Sequence, residues 1–169
     1  NDENLLRWGK NGVPSVHGFG GITGTVMMRA TDAVHIDDIY VQNRPKPKEA
    51  GIFVTLKNLT GTEKKGTLTI TVHKWKNPGT VVWRKTAQIT VPPEECKIAY
   101  EVKAPKAELW DIRDPNLYVG SVRFESDDRV IVDSAERRFG FRWFEVVEKG
   151  GDKMYYLNDK RVFIFAAMT

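Results

Sequence analysis

Residues 67–72 alternate without a break. Leu68, Ile70 and Val72 are apolar, and Thr67, Thr69 and Thr71 stand between them. Successive side chains of a strand point to opposite faces, so this pattern predicts a strand with one face buried and one in water. A helix would scatter the same apolar residues around its circumference. Short alternating segments recur along most of the chain, and none carries a helical period over three turns. Residues 34–41 predict a strand, with Asp37 and Asp38 forcing a bulge between Ile36 and Ile39. In 51–58, Ile52, Val54 and Leu56 share a face. Residues 81–85 and 87–91 predict one bent strand or two short ones, stopped at Pro92 and Pro93, which cannot donate to a ladder. Residues 96–102 predict another, and 117–126 with 129–136 predict a hairpin around Asp127 and Asp128. Turn signals lie between the segments, among them Asn77, Pro78 and Gly79. The sum is an all-β chain, an immunoglobulin-like β-sandwich of about seven strands between Val34 and Glu136.

The flanks read differently. Residues 1–31 are rich in glycine and carry one predicted strand, 24–30, too little to bury a core. Beyond the sandwich, 144–147 and 154–157 are strand-like, and the chain runs into Val162, Phe163, Ile164 and Phe165 with no polar exit. Both ends read as cut from a longer protein.

Composition removes several function classes. Lys plus Arg is 26 and Asp plus Glu is 22, and the charges are interleaved, so a nucleic-acid partner is not expected. No run of about 18 apolar residues predicts a membrane span, and no signal-peptide pattern is present. Cys96, the only cysteine, can form neither an intrachain disulfide nor a cysteine-rich metal site. It alternates with Ile98 and Tyr100 and reads as a small buried hydrophobe rather than a reactive thiol. His17, His35 and His73 lack metal-ligand spacing. No G-x-S-x-G is present, and Gly18, Phe19, Gly20 and Gly21 lack the lysine and following helix of a phosphate loop. The neighbours Asp37 and Asp38, Glu94 and Glu95, and Asp127 and Asp128 read as solvated side chains, because strand neighbours diverge. Asn58, Leu59 and Thr60 fit a glycosylation sequon. Trp75, Trp83, Trp110 and Trp143 read as packing residues rather than sugar platforms, and Trp8 is left without a role.

One segment carries recognition. Leu109, Trp110, Asp111, Ile112, Arg113, Asp114, Pro115, Asn116, Leu117 and Tyr118 resemble the LW…P.LY signature in the middle domain of family 2 glycoside hydrolases. Glu136 to Arg142 is similar to the F-G-F-R exit from that domain. Residues 156–163 are similar to the L-N-G-K-P-V-F entry into the family's catalytic barrel, with Asp159 in place of Gly and Arg161 in place of Pro. Gly20 to Met28 and 34–41 look like the exit from the sugar-binding domain that precedes it.

The resemblance implies three pieces: 1–31 from the preceding sugar-binding domain, 32–142 the sandwich, and 143–169 a linker with the first strand of a truncated TIM barrel. It implies a parent that hydrolyses β-glycosides with retention, with periplasmic or secreted placement favoured. Both catalytic glutamates of the family lie on barrel strands, and this sequence has no Asn-Glu dipeptide. The chain itself is therefore expected to hold no catalytic, substrate-binding or metal-ligating residue and no cofactor. Its expected partners are the neighbouring domains of the parent, with self-association through the truncated tail. Within the corner, Asp114 and Pro115 pre-set a turn, Trp110 is expected to cap the core, and the Tyr118 hydroxyl is expected to reach backbone. A stand-alone carbohydrate-binding or protein-interaction sandwich is the alternative. It has no use for the tail from Tyr156 to Thr169.

Overall fold

The computed structural model describes residues 7–8, 13–14, 22 and 24–164. His17, the glycines at 18, 20 and 21, the tail 165–169 and the side chain of Trp8 lie outside the described residues. The chain divides into two units, 1–30 and 31–169. In the first, Arg7–Trp8 (β1) pairs antiparallel with Val13–Pro14 (β2). The strand expected at 24–30 is absent: these residues form no ladder with any described segment, and a strand is defined by its partner.

The second unit contains seven sandwich strands: Val34–Asn43 (β3), Glu49–Asn58 (β4), Lys64–Lys74 (β5), Asn77–Val91 (β6), Glu94–Lys103 (β7), Tyr118–Ser126 (β8) and Val132–Phe139 (β9). They form a three-stranded sheet, β3-β4-β7, and a four-stranded sheet, β6-β5-β8-β9, with antiparallel neighbours throughout. This is the all-β sandwich that the alternation predicts. Ile52, Val54 and Leu56 of β4 are buried, as are Leu68, Ile70 and Val72 of β5. With Ile36, Val91, Val102, Val122 and Phe124 they make one core.

The bulge lies between Ile36 and Asp38, as read from the two aspartates. Beyond it the edge of β3 is closed by β9. The Ile36 N–H donates to Asp133 Oδ2 at 2.7 Å, and Arg137 Nε donates to the Ile39 carbonyl at 2.9 Å. Residues 81–91 lie within one strand of 15 residues. The turn expected at Asn77, Pro78 and Gly79 sits instead at Trp75 and Lys76. Register shifts on either side of His73 move the reversal two residues back, and β6 is an edge strand, where Pro78 needs no ladder partner on its open side.

A meander follows the sandwich: Phe144–Lys149 (β10), Asp152–Leu157 (β11) and Lys160–Val162 (β12), in the order β10-β11-β12. Its second turn holds Asn158 and Asp159 at φ of 50° and 63°. Left-handed backbone at both central residues suits a two-residue hairpin, and Asn and Asp tolerate it better than other non-glycine residues.

Candidate functional site

Three of the four segments that carry the family resemblance, 109–118, 136–142 and 156–163, meet at one end of the sandwich. The loop 109–117 folds on itself. The Asp111 N–H donates to the Asp114 carbonyl at 3.0 Å, and Asn116 Nδ2 donates to the Leu109 carbonyl at 3.3 Å and to Asp114 Oδ2 at 2.9 Å. Tyr118 enters β8 directly after it and is fully buried. Its hydroxyl oxygen accepts the Glu108 N–H at 2.7 Å, the tyrosine-corner arrangement expected from the sequence. Tyr118→Phe should cost ~1 kcal/mol, because it removes the partner of one partly buried donor while leaving packing intact. Equal urea midpoints for the two proteins would show that the hydroxyl bond is not stabilising.

Trp110 is half-buried at this end of the sandwich, beside rather than within the buried core. It lies between Gly140 and Arg142. A Cβ on residue 140 would come 2.9 Å from Trp110 Cβ and Cδ1, so only glycine allows this approach. The Arg142 guanidinium sits 4.5 Å from the ring centroid on a cation–π contact. The Trp110 N–H donates to the Phe141 carbonyl at 3.0 Å.

Asn158 ties the meander to this end. Its Nδ2 donates to the Trp110 carbonyl at 2.6 Å, its Oδ1 accepts the Trp143 N–H at 3.0 Å, and its own N–H donates to the Trp143 carbonyl at 3.0 Å. Lys160 adds an ion pair to Asp111 at 3.4 Å. The sequence marks Asn158 as a turn residue. Its clamp role is invisible there, because its acceptor lies 48 residues away.

The joint is apolar on its open side. A cleft of about 440 Å³ is lined by Trp110, Ile112, Phe144, Leu157, Val162 and Phe163, among others. Ile112, Phe144, Val146, Tyr155, Phe163 and Ile164 are exposed, and the Phe144 and Tyr155 rings stack with centroids 5.7 Å apart. Asn43 also lines the cleft. Its Nδ2 donates to the Gly140 carbonyl at 2.8 Å, while its Oδ1 is buried without a partner among the described residues.

Several of the polar side chains named in the sequence have structural partners. Asp37 pairs with Lys57 at 3.2 Å, Asp38 with Arg137 at 3.0 Å and Glu95 with Lys97 at 2.8 Å. Hydrogen bonds hold three carboxyls below the usual range: the Arg44 side chain acts on Glu101, the Arg113 N–H on Asp111, and the Ser126 hydroxyl on Asp128. A general acid needs the opposite direction. Burial pushes the Cys96 thiol up, away from the nucleophilic thiolate, and the residue packs against the core. His35 and His73 place Nδ1 3.0 Å from the Asp32 carbonyl and 3.2 Å from the Lys74 carbonyl. Among the described residues no group of three His, Cys, Asp or Glu side chains could hold a metal. Asn58 of the sequon is 1% exposed, and its Nδ2 donates to the Thr62 carbonyl at 2.8 Å and the Val91 carbonyl at 3.0 Å. That nitrogen is unavailable to a glycan in the folded chain.

Trp83 packs against the core, and Trp143 is half-buried. Trp75 is exposed, with the Arg138 guanidinium 4.6 Å from its ring centroid.

Known proteins match this fold and this sequence. A protein of Formosa agariphila that carries a beta-glucuronidase name is 30% identical over 151 residues, covering 86% of this chain and 17% of that protein. A beta-galactosidase of Halalkalibacterium halodurans is 26% identical over 145 residues, covering 85% of this chain and 13% of that protein. The chain thus spans less than a fifth of either. The crystal structure of a glycosyl hydrolase family 2 member from Bacteroides cellulosilyticus superposes with a TM-score of 0.64 at 27% identity, covering 78% of this chain and 18% of that one. The profile of "Glycosyl hydrolases family 2" matches residues 34–142, a span that holds all seven sandwich strands. This chain belongs to the glycosyl hydrolases family 2.

Proposed function

We propose that this chain is a non-catalytic spacer in a larger family 2 enzyme, and that the whole enzyme hydrolyses terminal β-glycosides with retention. The observation that carries the spacer role is the joint. The meander is hydrogen-bonded onto the sandwich through Asn158, and it turns Phe144, Val146, Tyr155, Phe163 and Ile164 toward solvent. Apolar side chains gathered this way mark a docking face. The occupant in this reading is the catalytic barrel of the same polypeptide, entered through 143–169, with 1–31 leading in from a sugar-binding domain. Retention requires two carboxyls about 5–5.5 Å apart, one acting as nucleophile and one as acid and base. In this reading the barrel supplies both, and the sandwich fixes the angle at which a sugar-binding domain faces them.

The native coding frame tests this reading. It should continue past Thr169 for roughly 250 residues, the size of a barrel, and encode an Asn-Glu dipeptide. A stop codon directly after Thr169 in the native gene would overturn it.

A further inference from the structure

We infer that the solvent face of the β3-β4-β7 sheet is a shallow binding site for a neutral glycan chain, built on Tyr40 and Phe53. This goes beyond the spacer reading and does not depend on it, because the face belongs to the sandwich sheet and not to the meander joint.

Tyr40, Phe53 and Ala99 are register partners across the three strands, so their side chains share one face. Tyr40 is 56% exposed. The two rings are 5.9 Å apart and inclined by 37°, which makes an open V rather than a closed stack. Ala99 leaves the third position of the row low. The result is a groove of about 430 Å³, within the roughly 300–1,000 Å³ of ligand sites. Cross-strand pairing accounts for the contact between the rings. It does not account for the open flank of Tyr40, whose hydroxyl makes no hydrogen bond among the described residues.

The rim supplies polar groups. On one side the next row is Gln42, Gly51 and Glu101. Arg44 lies across it, its guanidinium 5.9 Å from the Phe53 ring centroid, donating to Gln42 Oε1 at 2.8 Å and paired with Glu101. A Cβ on residue 51 would come 2.6 Å from Arg44 Nη2, so Gly51 makes room for this arm. On the other side the row is Asp38, Thr55 and Lys97.

Charge selects the ligand class. Arg44 is paired with Glu101, Lys97 with Glu95 and Asp38 with Arg137. The rim therefore offers donors and acceptors whose charges already cancel in pairs. An anionic ligand finds no free cation among these groups and would have to break a pair. A neutral sugar ring matches: its C–H face lies on an aromatic face, and its edge hydroxyls both donate and accept.

The test uses the full 169-residue chain, labelled with nitrogen-15 and titrated with cellohexaose, xylohexaose and β-1,4-galactohexaose. Trigalacturonate serves as the charged counterpart. Saturable shifts confined to residues near 38–44, 51–55 and 97–101 are expected with at least one neutral oligosaccharide, with a dissociation constant on the order of 1 mM. Tyr40→Ala should weaken that binding at least tenfold while leaving the amide spectrum of the β6-β5-β8-β9 sheet intact. Tyr40→Phe and Trp75→Ala should leave it within about twofold. Absence of saturable shifts with all three neutral sugars would overturn the inference. So would shifts that persist in Tyr40→Ala, or an equal response to trigalacturonate.

Discussion

Phe124→Ala is expected to lower the stability of the chain by about 3–5 kcal/mol. Phe124 is fully buried in β8, opposite Leu68 of β5 and Asp133 of β9. Its ring faces inward from the four-stranded sheet into the core shared with Ile36 and Leu56 of the other sheet. Truncation removes the transfer free energy of the ring and leaves a cavity that two hydrogen-bonded sheets cannot close. Urea unfolding followed by circular dichroism reads the loss as a lower midpoint at unchanged slope. Phe124→Leu, which keeps most of the volume, should recover much of it. A Phe124→Ala protein within 1 kcal/mol of the parent would mean that the core does not lie between these sheets.

Asn58→Ala is the second large loss, through a different mechanism. The side chain takes part in four hydrogen bonds at the end of β4. Nδ2 donates to the Thr62 and Val91 carbonyls, and Oδ1 accepts the Thr60 N–H at 3.0 Å and the Thr60 hydroxyl at 2.7 Å. It therefore stitches the β4–β5 loop to the last residue of β6. Alanine leaves buried groups unpaired at roughly 1–3 kcal/mol each, so a loss of roughly 2–5 kcal/mol is expected. Asn58→Asp separates this account from simple loss of volume. It keeps the shape but turns a carboxyl oxygen toward two carbonyls, which disfavours the ionised form. The folded pKa of that aspartate should lie above its unfolded value. Stability should then be best retained below the unfolded carboxyl range and lost as pH rises through the folded pKa. A pH-independent Asn58→Asp protein as stable as the parent would remove the hydrogen-bond account.

Legibility in the sequence follows how local each cause is. The strands β4 and β5 are plain because period-2 alternation is local, and the bulge at Ile36 and Asp38 shows as two aspartates breaking the period. The turn after β5 lies two residues before the place Asn77, Pro78 and Gly79 mark, because the bulges beside His73 leave no trace in residue type. Segment 24–30 has an apolar run that suggests a strand, but pairing is a tertiary fact. The Tyr118 corner was readable from Asp114, Pro115 and Tyr118 together. The half-burial of Trp110 was not, because it depends on Gly140 and Arg142 arriving from 30 residues away. Nor was the glycan groove. Alternation puts Tyr40 and Phe53 on one outward face, but only the assembled sheet shows that face left open.

The joint gives the account its physical logic. Within the chain, the hydroxyl of Tyr118, the side chain of Asn158 and the Trp110 ring are all engaged in contacts within the joint. In the proposed spacer reading these contacts would hold the angle between neighbouring domains, since an angle held loosely would misplace a sugar relative to distant carboxylates.

The most direct measurement is turnover of nitrophenyl β-glycosides by the purified 169-residue chain, beside the whole gene product at equal concentration. The account predicts hydrolysis by the whole product and none above buffer by the chain. Activity of the chain that survives repurification, and disappears on substituting a carboxylate within residues 1–169, would contradict it.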